Sequence, residues 1–200
     1  MFNRITKLAV AGAALIVTTA APVIALETPA DEKEKLKACE QQICSIILKK
    51  EASGGDLSCN LGRTWEKSKI VNGVKEKNIS WDFGDARCTV DVKMGRQAVI
   101  DALTKPTYDL TVDKHTIKCQ IERTEGITDV SLDMAPKMSF KDGKVQKIWL
   151  NVSNIEAPTL IKAGLWSVSK LEDNIGLFHS EMVEETNEFL HEKCAKRYPN

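Results

Sequence analysis

Six cysteines, Cys39, Cys44, Cys59, Cys88, Cys119 and Cys194, all lie downstream of an apolar N-terminal segment. An even cysteine set behind an export signal reads as a framework of disulfides formed in an oxidising compartment. No other feature restricts the permissible topologies of this chain as much, because each bridge fixes two distant residues side by side.

The N-terminal segment has the layout of a secretory signal. Arg4 and Lys7 precede the apolar stretch from Leu8 to Ala21, and Val23-Ile24-Ala25 offers modest or small side chains before Leu26. Cleavage after Ala25 is expected, making residues 1–25 a signal peptide and residues 26–200 a single mature domain with no integral membrane span. The competing reading is a retained anchor, since the run from Ala9 to Leu26 approaches the ~20 residues that cross a bilayer. Two threonines and Pro22 weigh against it. Leu36-Lys37-Ala38-Cys39 echoes a lipoprotein cleavage box poorly, because the charged stretch from Asp31 to Lys37 separates it from the apolar run.

Charge excludes one class of partner. The precursor balances 28 Lys and Arg against 28 Asp and Glu; losing Arg4 and Lys7 leaves 26 against 28, a net charge of −2. With no basic excess and 6% aromatic residues, the composition offers no footprint for nucleic acid. Its 42% hydrophobic content is enough to form a core.

Hydrophobic spacing predicts an α+β fold. Leu36, Cys39, Ile43, Ile46 and Ile47 recur at helical intervals from Asp31 to about Ala52, where Gly54-Gly55 stops the helix. The chain from Leu57 to about Val152 then reads as an antiparallel sheet. Ile79 to Phe83 and Ala86 to Val92 are expected to pair across a hairpin at Gly84-Asp85, and Met138 to Phe140 with Val145 to Val152 across another at Asp142-Gly143. A short internal helix, Arg96 to Leu103, stops before Lys105-Pro106. Leu110 and Val112, then Ile117, Cys119 and Ile121, alternate as half-buried strands do. Finally Leu171, Ile175, Phe178, Met182 and Phe189 trace a helical stripe, so long C-terminal helices are expected to pack on one face of the sheet, broken near Gly176 or the stretch from Glu172 to Asn174.

Six cysteines admit fifteen pairings. Cys39 and Cys44 on one helix point about 140° apart around its axis, which denies them the close Cβ approach of a disulfide and leaves twelve pairings. The favoured set is Cys44 with Cys59 across the Gly54-Gly55 reversal, Cys88 with Cys119 between strands, and Cys39 with Cys194 between first and last helices; the others stay open. Redox exchange is the alternative use of these residues, but the sequence contains no CxxC motif.

Catalytic signals are sparse. Glu188 and His191 have the Glu-x-x-His spacing of a helical metal face, with Glu184 one turn back, yet no second such motif supplies the remaining ligands, and a solvated charged face is the simpler reading. His179-Ser180 project about 100° apart and make a poor nucleophile–base pair. His115 reads as a turn residue. No phosphate loop, HExxH or GxSxG motif occurs, and no cofactor is expected. Asn78-Ile79-Ser80 and Asn151-Val152-Ser153 match the glycosylation triplet. Trp65, Trp81, Trp149 and Trp166 are expected mostly in the core; two or more lining a cavity would argue for a ligand.

Ser58-Cys59-Asn60-Leu61, Trp81 to Cys88 (WDFGDARC), Cys119 to Arg123 (CQIER) and Phe178 to Met182 (FHSEM) together resemble an uncharacterised family of exported alphaproteobacterial proteins, over nearly the whole mature chain. The resemblance implies a periplasmic setting and attaches no chemistry to these motifs. Two functions follow as expectations. The first is a non-catalytic binding or interaction module for a small apolar ligand or an envelope protein. The alternative is a periplasmic hydrolase using dispersed carboxylates with His179 or His191. An apolar cavity under the long helix favours a carrier; a solid core with an exposed patch favours a protein partner; a histidine meeting carboxylates from another element favours the enzyme.

Overall fold

The computed structural model describes residues 26–75, 79–175 and 179–199, excepting the side chains of 170–175. The expected signal peptide, the asparagine of the Asn78 triplet, and Leu171, Ile175 and Phe178 of the helical stripe therefore lie outside the described side chains.

The fold is α+β, stapled by three disulfides, with all strand pairs antiparallel. Helix α1, Glu32–Lys49, carries Glu32 and Glu34 in its first turn and Lys49 in its last, as the helix dipole favours. It ends three residues before Ala52 because Lys50 takes a left-handed conformation (φ 50°) and its N–H returns to the Ile46 carbonyl. Strand β1, Leu57–Trp65, runs back along α1, and α2, Lys67–Val74, follows it; sequence spacing did not single out that helix.

Strands β2 (Ala86–Met94), β4 (His115–Arg123), β5 (Gly126–Met134) and β8 (Val152–Glu156) join β1 in a five-stranded sheet ordered β1-β2-β4-β5-β8. The remaining strands, β3 (Thr107–Thr111), β6 (Lys137–Lys141) and β7 (Lys144–Trp149), form a separate sheet ordered β3-β6-β7. The single sheet expected from sequence is thus two. Asn151 is one cause: its positive φ of 50° breaks the strand expected from Val145 to Val152, and β7 and β8 go to different sheets. Helix α3, Arg96–Thr104, is placed as expected.

The hairpin expected at Gly84-Asp85 is absent, and Ile79 to Phe83 is not a strand. Gly84 instead permits a close approach. A Cβ there would lie 2.6 Å from Glu122 Cβ, and Gly84 N–H donates to the Glu122 carbonyl at 2.9 Å. Trp81 folds back, its indole N–H bonding the Gly84 carbonyl at 2.9 Å, and meets Phe83 edge to face at 5.1 Å. Packing of the aromatics under the large sheet overrides local alternation. The Asp142-Gly143 hairpin does form, with φ of 50° and 74° as a type I′ turn needs.

The C-terminal helices divide between the sheets instead of sharing one face. Helix α4, Thr159–Ile175, packs on β8, and α5, His179–Glu188, on β7. A π-helical turn, Phe189–Lys193, then leads into α6, Cys194–Arg197, bringing Phe189, Leu190 and Cys194 against α1. One apolar cluster gathers α1, β1, α3 and α6 around Ile46; a second fills the small sheet around Phe140; a third lies on the large sheet around Ile121, Val130 and Ile161.

The bridges are Cys39–Cys59, Cys44–Cys194 and Cys88–Cys119. The cross-strand bond is as expected and the other two are exchanged. Translation per residue explains the exchange. From Gly54 the returning chain covers about 16 Å to reach Cys59, which matches about 11 helical residues and, counted back from the helix end at Lys50, brings it level with Cys39. Cys44, on another side of α1, is fully buried and faces Cys194.

Candidate functional site

Residues directly opposite one another in an antiparallel sheet share a face. On one face of the large sheet Cys88, Cys119 and Val130 lie in register, as do Val90, Ile117 and Leu132; this face carries the core. The other carries Arg87, Gln120 and Asp129 in one row and Thr89, Lys118, Ser131 and Glu156 in the next. Lys118, Gln120, Asp129 and Glu156 are exposed, so this is an open polar face. Residues Thr116, Lys118 and Gln120 of β4 are the polar half of an alternation whose apolar half was read from sequence; Asp129, Ser131 and Asp133 of β5, a strand that reading did not single out, continue the same face.

Two adjoining hollows occupy that face, of about 630 and 920 Å³, sharing Lys118, Ser131 and Glu156. Arg87 and Thr89 bound the first; Lys162 and Trp166 of α4 wall the second. Helix α4 is placed by burying Ile161 (5% exposed) and packing Leu165 beneath the sheet, which leaves Trp166 46% and Leu160 82% exposed. Among the described residues, Arg87 Nε is the buried side-chain polar atom without a hydrogen-bond partner. Its Nη2 would lie 3.8 Å from a Cβ on Gly62, the neighbouring position without a side chain.

Asp133 fixes the far wall. Thr116 Oγ1 donates to its Oδ1 at 2.7 Å, while Asn154 Nδ2 and Lys114 Nζ donate to Oδ2 at 2.7 and 3.0 Å. These donors, Thr116 first, then Asn154 and Lys114, hold its carboxyl down at about 2. Asp133 therefore stays ionised at neutral pH and acts as a strut tying β8 to β4, with no proton to give. Its folded pKa lies below the unfolded value of about 3.9, so its stabilisation is present above pH ~4 and disappears as pH falls through about 2. Asp133→Asn is expected to flatten the loss of urea resistance across that window; parallel wild-type and variant curves between pH 5 and 2 would contradict the strut.

The histidines point elsewhere. His115 bridges β4 to β2: its Nε2 accepts the Lys93 N–H at 2.8 Å and its Nδ1 faces the Asp113 carbonyl. His191 Nε2 donates to the Gly143 carbonyl at 3.1 Å. Glu184, Glu188 and His191 do border one hollow, but the residue brought there by another element is Lys144, a cation, and Glu188 pairs with Lys193 at 2.7 Å. Among the described residues no three His, Cys, Asp or Glu side chains converge as a metal site. His179 begins α5 and does not border that hollow, and the carboxylates beside His191 there come from the same continuous helical stretch.

Comparison with known protein families, curated proteins and solved structures finds no match. No free cysteine remains among the described residues, and none of the described helices is long and apolar enough to cross a membrane.

Proposed function

We propose that this chain is an exported, disulfide-stabilised, non-catalytic binding module whose binding surface is the polar face of the five-stranded sheet beside α4. The partner favoured is a protein of the bacterial envelope. The open groove carries the reading: it combines a half-exposed Trp166, lysines and hydroxyls, and the unsatisfied Arg87 Nε. Such a mixture of one aromatic anchor with surrounding polar groups suits a macromolecular contact. The space beneath α4 is filled by Ile161, Val130 and Ile121, where an apolar carrier needs a cavity.

Three disulfides support export into an oxidising compartment, and the WDFGDARC and FHSEM resemblances support a periplasmic one. A photo-crosslinking residue placed at 118 or 162 in the exported protein is expected to give a discrete protein adduct, reduced at least about tenfold by Trp166→Ala, as for a binding hot spot. The same probe at Lys141, on the small sheet, gives none. Equal adducts from both faces, or a lipid retained in native mass spectrometry, would overturn the proposal.

A further inference from the structure

The first residue after the expected cleavage point has a specific partner. The backbone nitrogen of Leu26 donates to Glu122 Oε1. Glu122 Oε2 accepts the Asp85 N–H at 3.0 Å, while the two backbones exchange Gly84 N–H to Glu122 carbonyl and Glu122 N–H to Asp85 carbonyl, each at 2.9 Å. The carboxylate is thus seated against Gly84, where a Cβ would come within 2.5 Å of Oε2. Asp85 leaves it uncontested, its own Oδ1 being occupied by the Lys67 N–H at 2.8 Å. Glu122 belongs to the regular β4–β5 ladder, opposite Ile127, so its aim at residue 26 is set by the sheet.

We infer that Leu26 is the first residue of the mature protein and that its freed α-ammonium docks on Glu122 as a built-in ion pair. Hydrolysis of the Ala25–Leu26 bond by an export endopeptidase gives the hydroxyl of water to the Ala25 carbonyl, which leaves as a carboxylate. The Leu26 nitrogen departs as an amine and takes up a proton. One neutral N–H then becomes a cation with three donors at the position Glu122 already addresses. Charge-assisted hydrogen bonds of this kind are about twice as strong as neutral ones, so processing tightens the joint between the N-terminus and β4. The inference rests on export, proposed above, and not on what the groove binds.

The full chain, expressed with its own N-terminal segment and recovered from a bacterial periplasm, is expected to begin at Leu26 by intact mass and N-terminal sequencing. At pH 7 an amine-selective acylating reagent should label that terminus about tenfold more slowly than in Glu122→Gln, because a facing carboxylate favours the protonated, unreactive amine. A second form carrying one extra alanine before Leu26, with Glu122 intact, should label as fast as Glu122→Gln and serves alone should that variant not fold. Retention of residues 1–25 on the recovered protein would sink the inference, and failure of the chain to leave the cytoplasm would sink the export proposal. Cleavage at another bond, or equal labelling rates, would leave export standing and overturn the docking.

Discussion

Replacing Cys44 and Cys194 together by alanine should lower the unfolding free energy by about 5 kcal/mol, from the loop-closure entropy that a 150-residue separation removes from the unfolded chain. The same estimate gives about 3.3 kcal/mol for Cys39–Cys59, which closes 20 residues, and about 3.7 kcal/mol for Cys88–Cys119, which closes 31. Burial acts in the same direction. Both sulfurs of the long bridge are fully buried among Ile46, Ile47 and Val99, so their removal also leaves a small void. The ion pair of Arg197 with Glu40 also ties α6 to α1, but it is largely solvent-accessible and worth little by itself. The three double-alanine variants, compared by guanidinium unfolding after non-reducing peptide mapping has confirmed the two remaining bridges, should rank with Cys44/Cys194 most destabilised. A larger loss from either shorter bridge would refute the ranking.

The same cysteines mark what could be read in advance. Excluding a bond between Cys39 and Cys44 needed only helical geometry, and both do reach other elements. Choosing between their partners needed, besides the unequal translation of strand and helix, the true end of the helix: eleven residues back from Lys50 is Cys39, whereas eleven back from Gly54 falls beside Cys44. Gly84-Asp85 was different. The pair has hairpin chemistry, but Gly84 is required by the crowding of Glu122, a residue 38 positions away in sequence and invisible to local pattern. Division into two sheets was hidden for a related reason, since a positive φ at Asn151 is a tertiary choice within what reads as one strand.

The candidate groove was legible only as its complement. Alternation along β4 identified Ile117, Cys119 and Ile121 as inward, and therefore assigned Thr116, Lys118 and Gln120 to the opposite face. Nothing local revealed that this face stays open in the middle while α4 rises beside it. Trp166 carries the limit of such reasoning: four tryptophans were expected mostly in the core, and one of them forms a groove wall because Ile161 and Leu165 take the buried side of α4. Nor do Trp149 and Trp65 join the core clusters: both are half-buried and flanked by cations, Trp149 by Lys137 and Lys147 at 5.5 and 4.7 Å and Trp65 by Arg63 at 5.7 Å.

Phe140→Ala is the core substitution that bears most directly on how the two sheets cooperate. Phe140 is 6% exposed, stands opposite Tyr108 on β3 and Val145 on β7, and centres the cluster with Ala102, Leu110 and Ile148. Truncating a buried phenylalanine removes its transfer free energy and leaves a cavity that the surrounding strands fill only partly, a loss of about 3–5 kcal/mol. Met94, Leu103 and Leu190 pack against both this cluster and the α1 cluster. Because those side chains are shared, the small sheet cannot lose its packing without loosening the disulfide-bonded half. The variant should therefore shift the whole urea transition to lower concentration while keeping one step and an unchanged slope. Ile127→Ala, at a position 38% exposed on β5, should move it by no more than about 0.5 kcal/mol. A biphasic curve for Phe140→Ala, with the α1 helix signal persisting through the first step, would show instead that the small sheet unfolds by itself and that the shared residues couple the clusters weakly.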